Sequence, residues 1–332
     1  MPKVSVVMPA YNAEKYIGEA IESILNQTFT DFEFIIINDG STDRTKEIIL
    51  EYDDPRIVLL ENEKNSGIVV TLNKGLDAAK GEYIARMDAD DIAVLERLTI
   101  QVEYMDKHPE IGVLGTGLKK FGDEINEEKR IFSQNPDKLK AELLFATCIA
   151  HPTVVMRKAV LDTFHIRYEI EYAGAEDFLM WWRLSQRTKI STIPDILLNY
   201  RIHKSQITHD KGEKHKMLMD MVLTERFSDM HYQPTSEGRK ALSQYCVGER
   251  NKFSPATLKN LIDILSDILR WNKKSTFFDE KSLQDVCSGA VLSSMSQSAF
   301  NQADEKKTYK YAVQQGIFSY LMRMKVLYHK LF

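Results

Sequence analysis

Three carboxylates crowd into Asp88-Ala89-Asp90-Asp91, directly after the apolar run Tyr83 to Met87. Carboxylates this close repel one another unless a cation neutralises them. Hard divalent metals such as Mn2+ or Mg2+ take oxygen ligands and complete their shells with substrate phosphates, so a metal here would join the chain to a diphosphate. The competing reading is a solvated acidic turn, or a helix N-cap with Asp91 in front of a helix that welcomes negative charge. Asp39 closes a second apolar run, Phe32 to Ile37. Its carboxylate could accept an amide or imide hydrogen from a nucleobase, with Gly40 permitting close backbone approach; equally, Asp39-Gly40 could be an ordinary turn. Glu176-Asp177 heads the apolar stretch Phe178-Leu179-Met180-Trp181-Trp182. A carboxylate at such a helix entry, beside a pocket, can take the proton of an attacking hydroxyl, although acids also favour helix N-termini on electrostatic grounds alone. His151 and His203 each stand at a strand boundary, open to phosphate or metal contact and to a plain hydrogen-bonded role.

Such residues need elements that gather them. Val4 to Met8 is a short β-rich run stopped by Pro9, and Ala13 to Asn26 places apolar residues at helical spacing. Phe32 to Ile37 is apolar apart from Glu33, as in a strand covered on both faces, and a helix is predicted from about Asp43 to Tyr52. Ile57 to Leu60 supplies a third strand. Val69, Leu72, Leu76 and Ala79 form the buried stripe of the next helix, which Gly81 ends, and Tyr83 to Met87 is a fourth strand. This alternation predicts an α/β fold with a doubly wound, mainly parallel sheet, right-handed crossovers and a ligand crevice at the strand C-terminal ends. Tyr11-Asn12, Asp39-Gly40-Ser41, Asn65-Ser66-Gly67 and Asp88 to Asp91 all follow such ends and should converge there. Further on, the spacing predicts a helix near Arg97 to Lys107, a strand Ile111 to Leu114 and a polar hairpin-like stretch over 121–132. A helix Pro136 to Phe145 and a strand Thr153 to Met156 follow. Residues 1–212 form one domain in this reading, and 213–332 a helical appendage.

Composition narrows the function. A formal charge of -4, from 48 acidic and 44 basic side chains, gives none of the global cationic field that would make nucleic acid a partner. The N-terminus is unlike a signal peptide, and no stretch approaches the roughly 18 apolar residues of a spanning helix, so a cytoplasmic protein is expected. Cys148, Cys246 and Cys287 lie far apart without a CxxC and read as small buried apolar residues. Gly112, Gly115 and Gly117 spell GxxGxG, the reverse of the dinucleotide-binding order, and point to packing or a turn. Neither a Walker lysine motif nor GxSxG nor HExxH occurs. Lys306 to Phe332 holds six basic residues and no acid, and its apolar spacing predicts a basic amphipathic helix, resting on an anionic membrane or closing a bundle. These patterns leave the oligomeric state open.

Taken in order, Pro9-Ala10-Tyr11-Asn12, Asn38-Asp39-Gly40-Ser41-Thr42-Asp43, Asn65-Ser66-Gly67, Asn73-Lys74-Gly75-Leu76, Gly81-Glu82-Tyr83-Ile84 and Met87-Asp88-Ala89-Asp90-Asp91 resemble family 2 glycosyltransferases of the GT-A fold. His151-Pro152-Thr153-Val154-Val155-Met156-Arg157, Glu176-Asp177 and Tyr200-Arg201-Ile202-His203 resemble the family's later landmarks, so the resemblance spans about residues 3 to 205. It implies a sugar-nucleotide-binding half over 1–100 and an acceptor half over 101–212. It also implies transfer of a sugar from a nucleoside diphosphate donor, UDP-linked, to a hydroxyl of a saccharide or lipid-linked acceptor in cell-surface glycan synthesis. The transfer would invert the anomeric carbon and need Mn2+ or Mg2+. The family pattern gives Pro9, Tyr11, Asn12 and Asp39 the base of the donor, with Asn65 and Gly67 helping. Asp88 would face the ribose or the metal's surroundings, Asp90 would bind the metal, and Asp177 would be the catalytic base. Arg201 and His203 stand as phosphate or metal contacts, and His151 and Glu176 as acceptor-side residues. The Gln-x-x-Arg-Trp element of processive synthases is missing, for Trp182-Arg183 reverses its last pair, which implies a single addition. A nucleotidyltransferase would instead carry a glycine-rich, arginine-bearing loop where Pro9-Ala10-Tyr11-Asn12 stands. A non-catalytic sugar-nucleotide-binding module would have no need to keep Asp39, Asp90 and Asp177.

Overall fold

Phe32–Asn38 is the strand that the apolar run Phe32 to Ile37 predicts, one residue longer, and only Glu33 in it is partly exposed. It is β2 of a nine-stranded sheet. The computed structural model describes residues 1–122, 127–203, 212–298 and 302–318. The chain divides into two units, Met1–Leu139 with Thr147–His209 and Lys140–Ala146 with Asp210–Phe332. In the first, β1 (Val4–Ala10), α1 (Ile17–Leu25), β2, α2 (Thr45–Leu50), β3 (Ile57–Glu61), α3 (Ile68–Ala78) and β4 (Tyr83–Arg86) alternate. Their strands are all parallel, in the order β3-β2-β1-β4. Then come β5 (Ile92–Ala93), α4 (Arg97–Lys107), β6 (Ile111–Phe121), β7 (Glu128–Arg130), α5 (Pro136–Glu142), β8 (Val155–Arg157), α6 (Lys158–Thr163), α7 (Glu176–Ser185) and β9 (Lys189–Arg201). The sheet continues β4-β8-β6-β9-β5, with the long β6–β9 ladder parallel and β8, β5 and β7 antiparallel to their neighbours. The α/β, GT-A-type architecture is thus a mostly parallel, doubly wound sheet whose second half is interleaved with short antiparallel strands.

Several local expectations change. β1 does not stop at Pro9 but runs on to Ala10, opposite Asn38. Along β1 the backbone groups of alternate residues face alternate neighbours: Val7 O accepts Met87 N–H on the β4 side, and Ala10 O accepts Asp39 N–H on the β2 side. The missing N–H of Pro9 therefore faces β4, whose ladder has already ended, and costs the sheet nothing. Asp91 does not cap a helix: β5 follows it, and α4 begins only at Arg97. β6 continues well past Leu114, because its glycines hide a strand from periodicity. A side chain at Gly115 would meet Ile149, and one at Gly117 would crowd the carbonyls of Pro194 and Asp195, so these glycines serve packing. α5 is shorter than the predicted helix, and His151–Thr153 is a 3-10 turn ahead of β8. Residues 123–126 of the predicted hairpin lie outside the described residues.

The second unit is helical among its described residues. Its long helices are α8 (Glu213–Asp229), α9 (Ser236–Cys246), α10 (Pro255–Ser275), α11 (Glu280–Gln297) and α12 (Gln302–Gln314). Thr235, Ser254 and Asp279 cap α9, α10 and α11 by accepting the amides of Gly238, Thr257 and Ser282. The continuous basic helix predicted for Lys306 to Phe332 is broken after Gln314. Gly316 turns at φ 74°, with Ile317 N–H on Ala312 O at 3.0 Å and Gly316 N–H on Val313 O at 3.1 Å, a Schellman closure. Ser266 and Ser288 pin the same turn through Gln315 O and Ile317 O, and Ile317 and Phe318 are buried. This turn serves bundle closure, while residues 319–332 lie outside the described residues. All three cysteines are free thiols; Cys148 and Cys287 are buried, and Cys246 is half-buried.

Candidate active site

Strand register brings the first polar corners together. Ala10 lies opposite Asn38, which sets Tyr11 and Asn12 beside Asp39, and Val7 lies opposite Arg86, so two residues further Pro9 stands beside Asp88. Asn12 adopts φ 48°, a left-handed conformation that asparagine tolerates. Its amide N–H donates to Ser41 Oγ at 3.1 Å, and its side-chain oxygen accepts Thr42 N–H at 2.9 Å, locking the β1 exit to the β2 exit. Tyr11 stays 45% exposed beside it.

Asp39 is buried and organises the next corner. Its Oδ1 accepts Asn62 Nδ2 and Ser66 N–H, both at 2.8 Å, and its Oδ2 accepts Gly67 N–H at 3.0 Å. Asn65 Oδ1 shares the Gly67 amide. A carboxylate has about four acceptor positions, so Asp39 keeps capacity on Oδ2 beyond these bonds. Gly40, at φ 66°, passes so close to the 64–65 backbone that a Cβ would stand 2.5 Å from Lys64 C. Gly40→Ala should therefore cost about 1–3 kcal/mol and lower the melting temperature by several degrees in scanning calorimetry. An unchanged melting temperature would show that the two loops are not in register as described. Gly67, at φ 86°, faces open space instead and starts α3.

The acidic corner is the third group. One carboxylate oxygen from each of Asp88, Asp90 and Asp91 lies within 4.8 Å of the others. Arg86, the last residue of β4 and two before Asp88, is buried and forms an ion pair with Asp88. Asp90 Oδ2 is 2.9 Å from His203 Nε2. Asp91 Oδ1 accepts the Arg201 amide at 2.9 Å, whereas its Oδ2 is buried without a hydrogen-bond partner. Burial, then the charges of Asp88 and Asp90, hold the Asp91 carboxyl well above the usual carboxylate range. Burial likewise raises Asp88, with Arg86 opposing. An orphaned buried oxygen in a set of three crowded hard donors is the chemistry of a divalent cation site, and the residues present fit Mn2+ or Mg2+.

The fourth group comes from much later in the chain. Asp177, in the first turn of α7, is partly exposed, and its Oδ1 accepts Phe178 N–H at 2.9 Å. Surrounding protein first, and the adjacent Glu176 charge second, push its carboxyl up to about 7, against the pull of the Phe178 amide and Arg86. Glu176 reaches back to the Gly174 amide at 2.7 Å, and its charge is felt by Asp88. His151 is buried, with Nε2 2.7 Å from the Tyr168 hydroxyl and the Trp181 ring T-shaped to its own at 5.6 Å between centroids. Burial, helped by Arg86, drops its pKa well below the usual histidine range and keeps the ring neutral. His151 is therefore a hydrogen-bonded floor residue. Asn73 of α3 fixes the Tyr168 segment by paired bonds at 2.8 and 3.0 Å.

Arg86 is the residue that the sequence reading passed over. Its charge reaches Asp88, Asp91, Asp177, Tyr168 and His151, so it joins the acidic corner to the base candidate. A signal existed: an arginine inside an apolar strand must be paired, and an aspartate stands two residues on. Asn62 and Tyr168 gave no such signal, because each acts through a partner remote in sequence. Arg201, a candidate phosphate or metal contact, lies against the acidic corner. Its side chain is 13% exposed, with Nε on Asp90 O at 2.8 Å and Nη2 on Glu19 Oε2 at 3.0 Å.

A parallel half with an acidic corner at its strand ends, joined to a mixed half, is the architecture of GT-A glycosyltransferases. The chain belongs to glycosyl transferase family 2: residues 5–164 match that family. An uncharacterized glycosyltransferase of Haemophilus influenzae is 37% identical over 237 residues, covering 65% of this chain and 72% of that protein. The Escherichia coli protein described as UDP-Glc:alpha-D-GlcNAc-diphosphoundecaprenol beta-1,3-glucosyltransferase WfgD is 32% identical over 224 residues, covering 66% of this chain and 85% of that one. Among solved structures, S. aureus TarS 1-349 in complex with UDP aligns with a TM-score of 0.59 at 21% identity, over 89% of this chain and 90% of that one.

Proposed function

We propose that this glycosyltransferase moves a sugar from a UDP-sugar to a hydroxyl of a lipid-linked saccharide, by a single inverting addition in cell-surface glycan synthesis at the inner face of the membrane. The observation that carries the reading is Asp177, a carboxyl poised near neutral pH within electrostatic reach of the same buried arginine that pairs with the acidic corner. The relative described as acting on a diphosphoundecaprenol-linked sugar supports the acceptor class, and its UDP-Glc donor supports the nucleotide.

In this reading Tyr11 offers its exposed ring to the base, and Asp39 takes the imide hydrogen on the position left on Oδ2, with Pro9, Asn12, Asn65 and Gly67 shaping the wall. Asp90, with Asp88 or His203, holds the divalent cation. When bound, that cation offsets the charge gathering on the leaving diphosphate. Asp177 accepts the proton of the acceptor hydroxyl as it attacks the anomeric carbon from the face opposite the diphosphate, so one displacement inverts that carbon. Glu176 lines the acceptor side and keeps Asp177 basic, while the buried, neutral His151 supports that side from behind through Tyr168.

A thermal-shift screen with Mn2+ and a panel of UDP- and GDP-sugars tests the assignment, since a ligand that binds only the folded state raises its melting temperature. A UDP-sugar is expected to stabilise the protein, and only with Mn2+ present. Failure of every nucleotide sugar to do so would overturn the donor assignment.

A further inference from the structure

The acidic corner is braced from outside by one residue. β5 and β9 pair antiparallel with Ile92 opposite Asn199 and Ala93 opposite Leu198, a register that sets Arg201 opposite Asp90 when carried two residues further. From there Arg201 makes two separate bonds to the acids: its amide donates to Asp91 Oδ1 at 2.9 Å, and its Nε to the Asp90 carbonyl at 2.8 Å. Its Nη2 reaches Glu19 on α1 at 3.0 Å. Two aromatic rings lie against the guanidinium, with Tyr16 and Phe121 ring centroids each 4.6 Å from Cζ. Tyr16 also lies 4.9 Å from the ring of His203, the Asp90 partner.

We propose that Arg201 is a positioning residue, a clamp with Glu19, Tyr16 and Phe121 that holds the Asp90-Asp91 backbone in the shape a divalent cation needs. The inference rests on the cation reading above and deepens it. Three neighbouring carboxylates repel one another, and a turn that carries them splays unless its main chain is tied down. A planar, five-donor guanidinium can bond a carbonyl and a carboxylate at once while lying against aromatic rings, and an ammonium group cannot reproduce that. The clamp also predicts a sign opposite to simple electrostatics. A positive charge beside a cation site weakens that site, so removing it would tighten metal binding if charge were all that mattered. If Arg201 acts through geometry, removing it loosens binding.

The test is Mn2+ titration of the full chain followed by electron paramagnetic resonance, which counts free Mn2+ directly, together with hydrogen–deuterium exchange read by peptide. Arg201→Met is expected to weaken Mn2+ binding about 10-fold or more, a size typical of lost supporting contacts around a metal. Arg201→Lys should fail nearly as badly despite keeping the charge. In metal-free protein both variants should speed exchange in the peptide spanning residues 88–94 and leave β2 and α4 protected. Unchanged or tighter Mn2+ binding by a folded Arg201→Met, with unchanged exchange in that peptide, would overturn the clamp. If Arg201→Met does not fold, Tyr16→Leu and Glu19→Gln loosen the clamp from its rim. Neither of them altering exchange at 88–94 would overturn it as well. Wild-type protein that takes up no Mn2+ would instead overturn the cation reading, and the exchange result would still decide whether Arg201 braces the turn.

Discussion

Asp177→Asn is expected to lower kcat by about 10²–10⁴-fold, the usual worth of a positioned general base, while donor affinity stays within roughly threefold. Asparagine keeps the shape of the aspartate and can still meet the Phe178 amide through its side-chain oxygen, so α7 should start as before. It cannot take a proton. Initial-rate kinetics with separate donor-binding calorimetry check both halves, and near-normal turnover in the variant would remove Asp177 from the role of base. The pH profile adds a second readout. With the Asp177 carboxyl pushed up to about 7, kcat should climb with pH below that value and level off above it.

Stability should move the other way. A carboxyl whose pKa is raised on folding is protonated more readily in the folded than in the unfolded chain, so folding stability falls as pH rises from the ordinary carboxylate range through about 7. Above that range the wild type carries the full cost of an ionised, crowded Asp177, and the asparagine variant does not. Asp177→Asn should therefore melt higher than wild type at pH 8, with the difference shrinking as the pH is lowered toward 4. Active-site strain of this kind is a common trade of stability for function.

Asp90→Ala is the second large effect. It is expected to weaken Mn2+-dependent donor binding by at least ~100-fold in calorimetry, beyond what loss of a supporting contact costs. The metal-free variant should nonetheless be as stable as wild type or more so, because the Asp90 charge helps hold Asp88 and Asp91 above the usual carboxylate range. Added Mn2+ should then raise the melting temperature of wild type alone. Donor binding that survives the substitution unchanged would show that the acidic corner serves the fold and not the donor.

The parts of this protein legible in its sequence are those set by neighbours along the chain. β2 was readable because a strand covered on both faces is apolar at successive positions, and the stripe of Val69, Leu72 and Leu76 because a helix repeats its buried face every three or four residues. Periodicity failed at β6, where glycines replace the alternating side chains, and after Gln314, where Gly316 ends a helix that the apolar spacing would have continued.

By itself, then, the sequence determined the alternation of β1 to β4 with their helices, and hence that the corners at Tyr11, Asp39, Gly67 and Asp88 all leave the sheet by the same edge. Parallel strands joined by right-handed crossovers leave no other arrangement. Only the tertiary structure decided what each polar group meets there. Arg86 faces both the acidic corner and Asp177, His151 is sealed and neutral under Trp181, and Arg201 closes on Asp90 from 111 residues away. Burial and charge pairing depend on distances through space, and strand register across the sheet sets those distances.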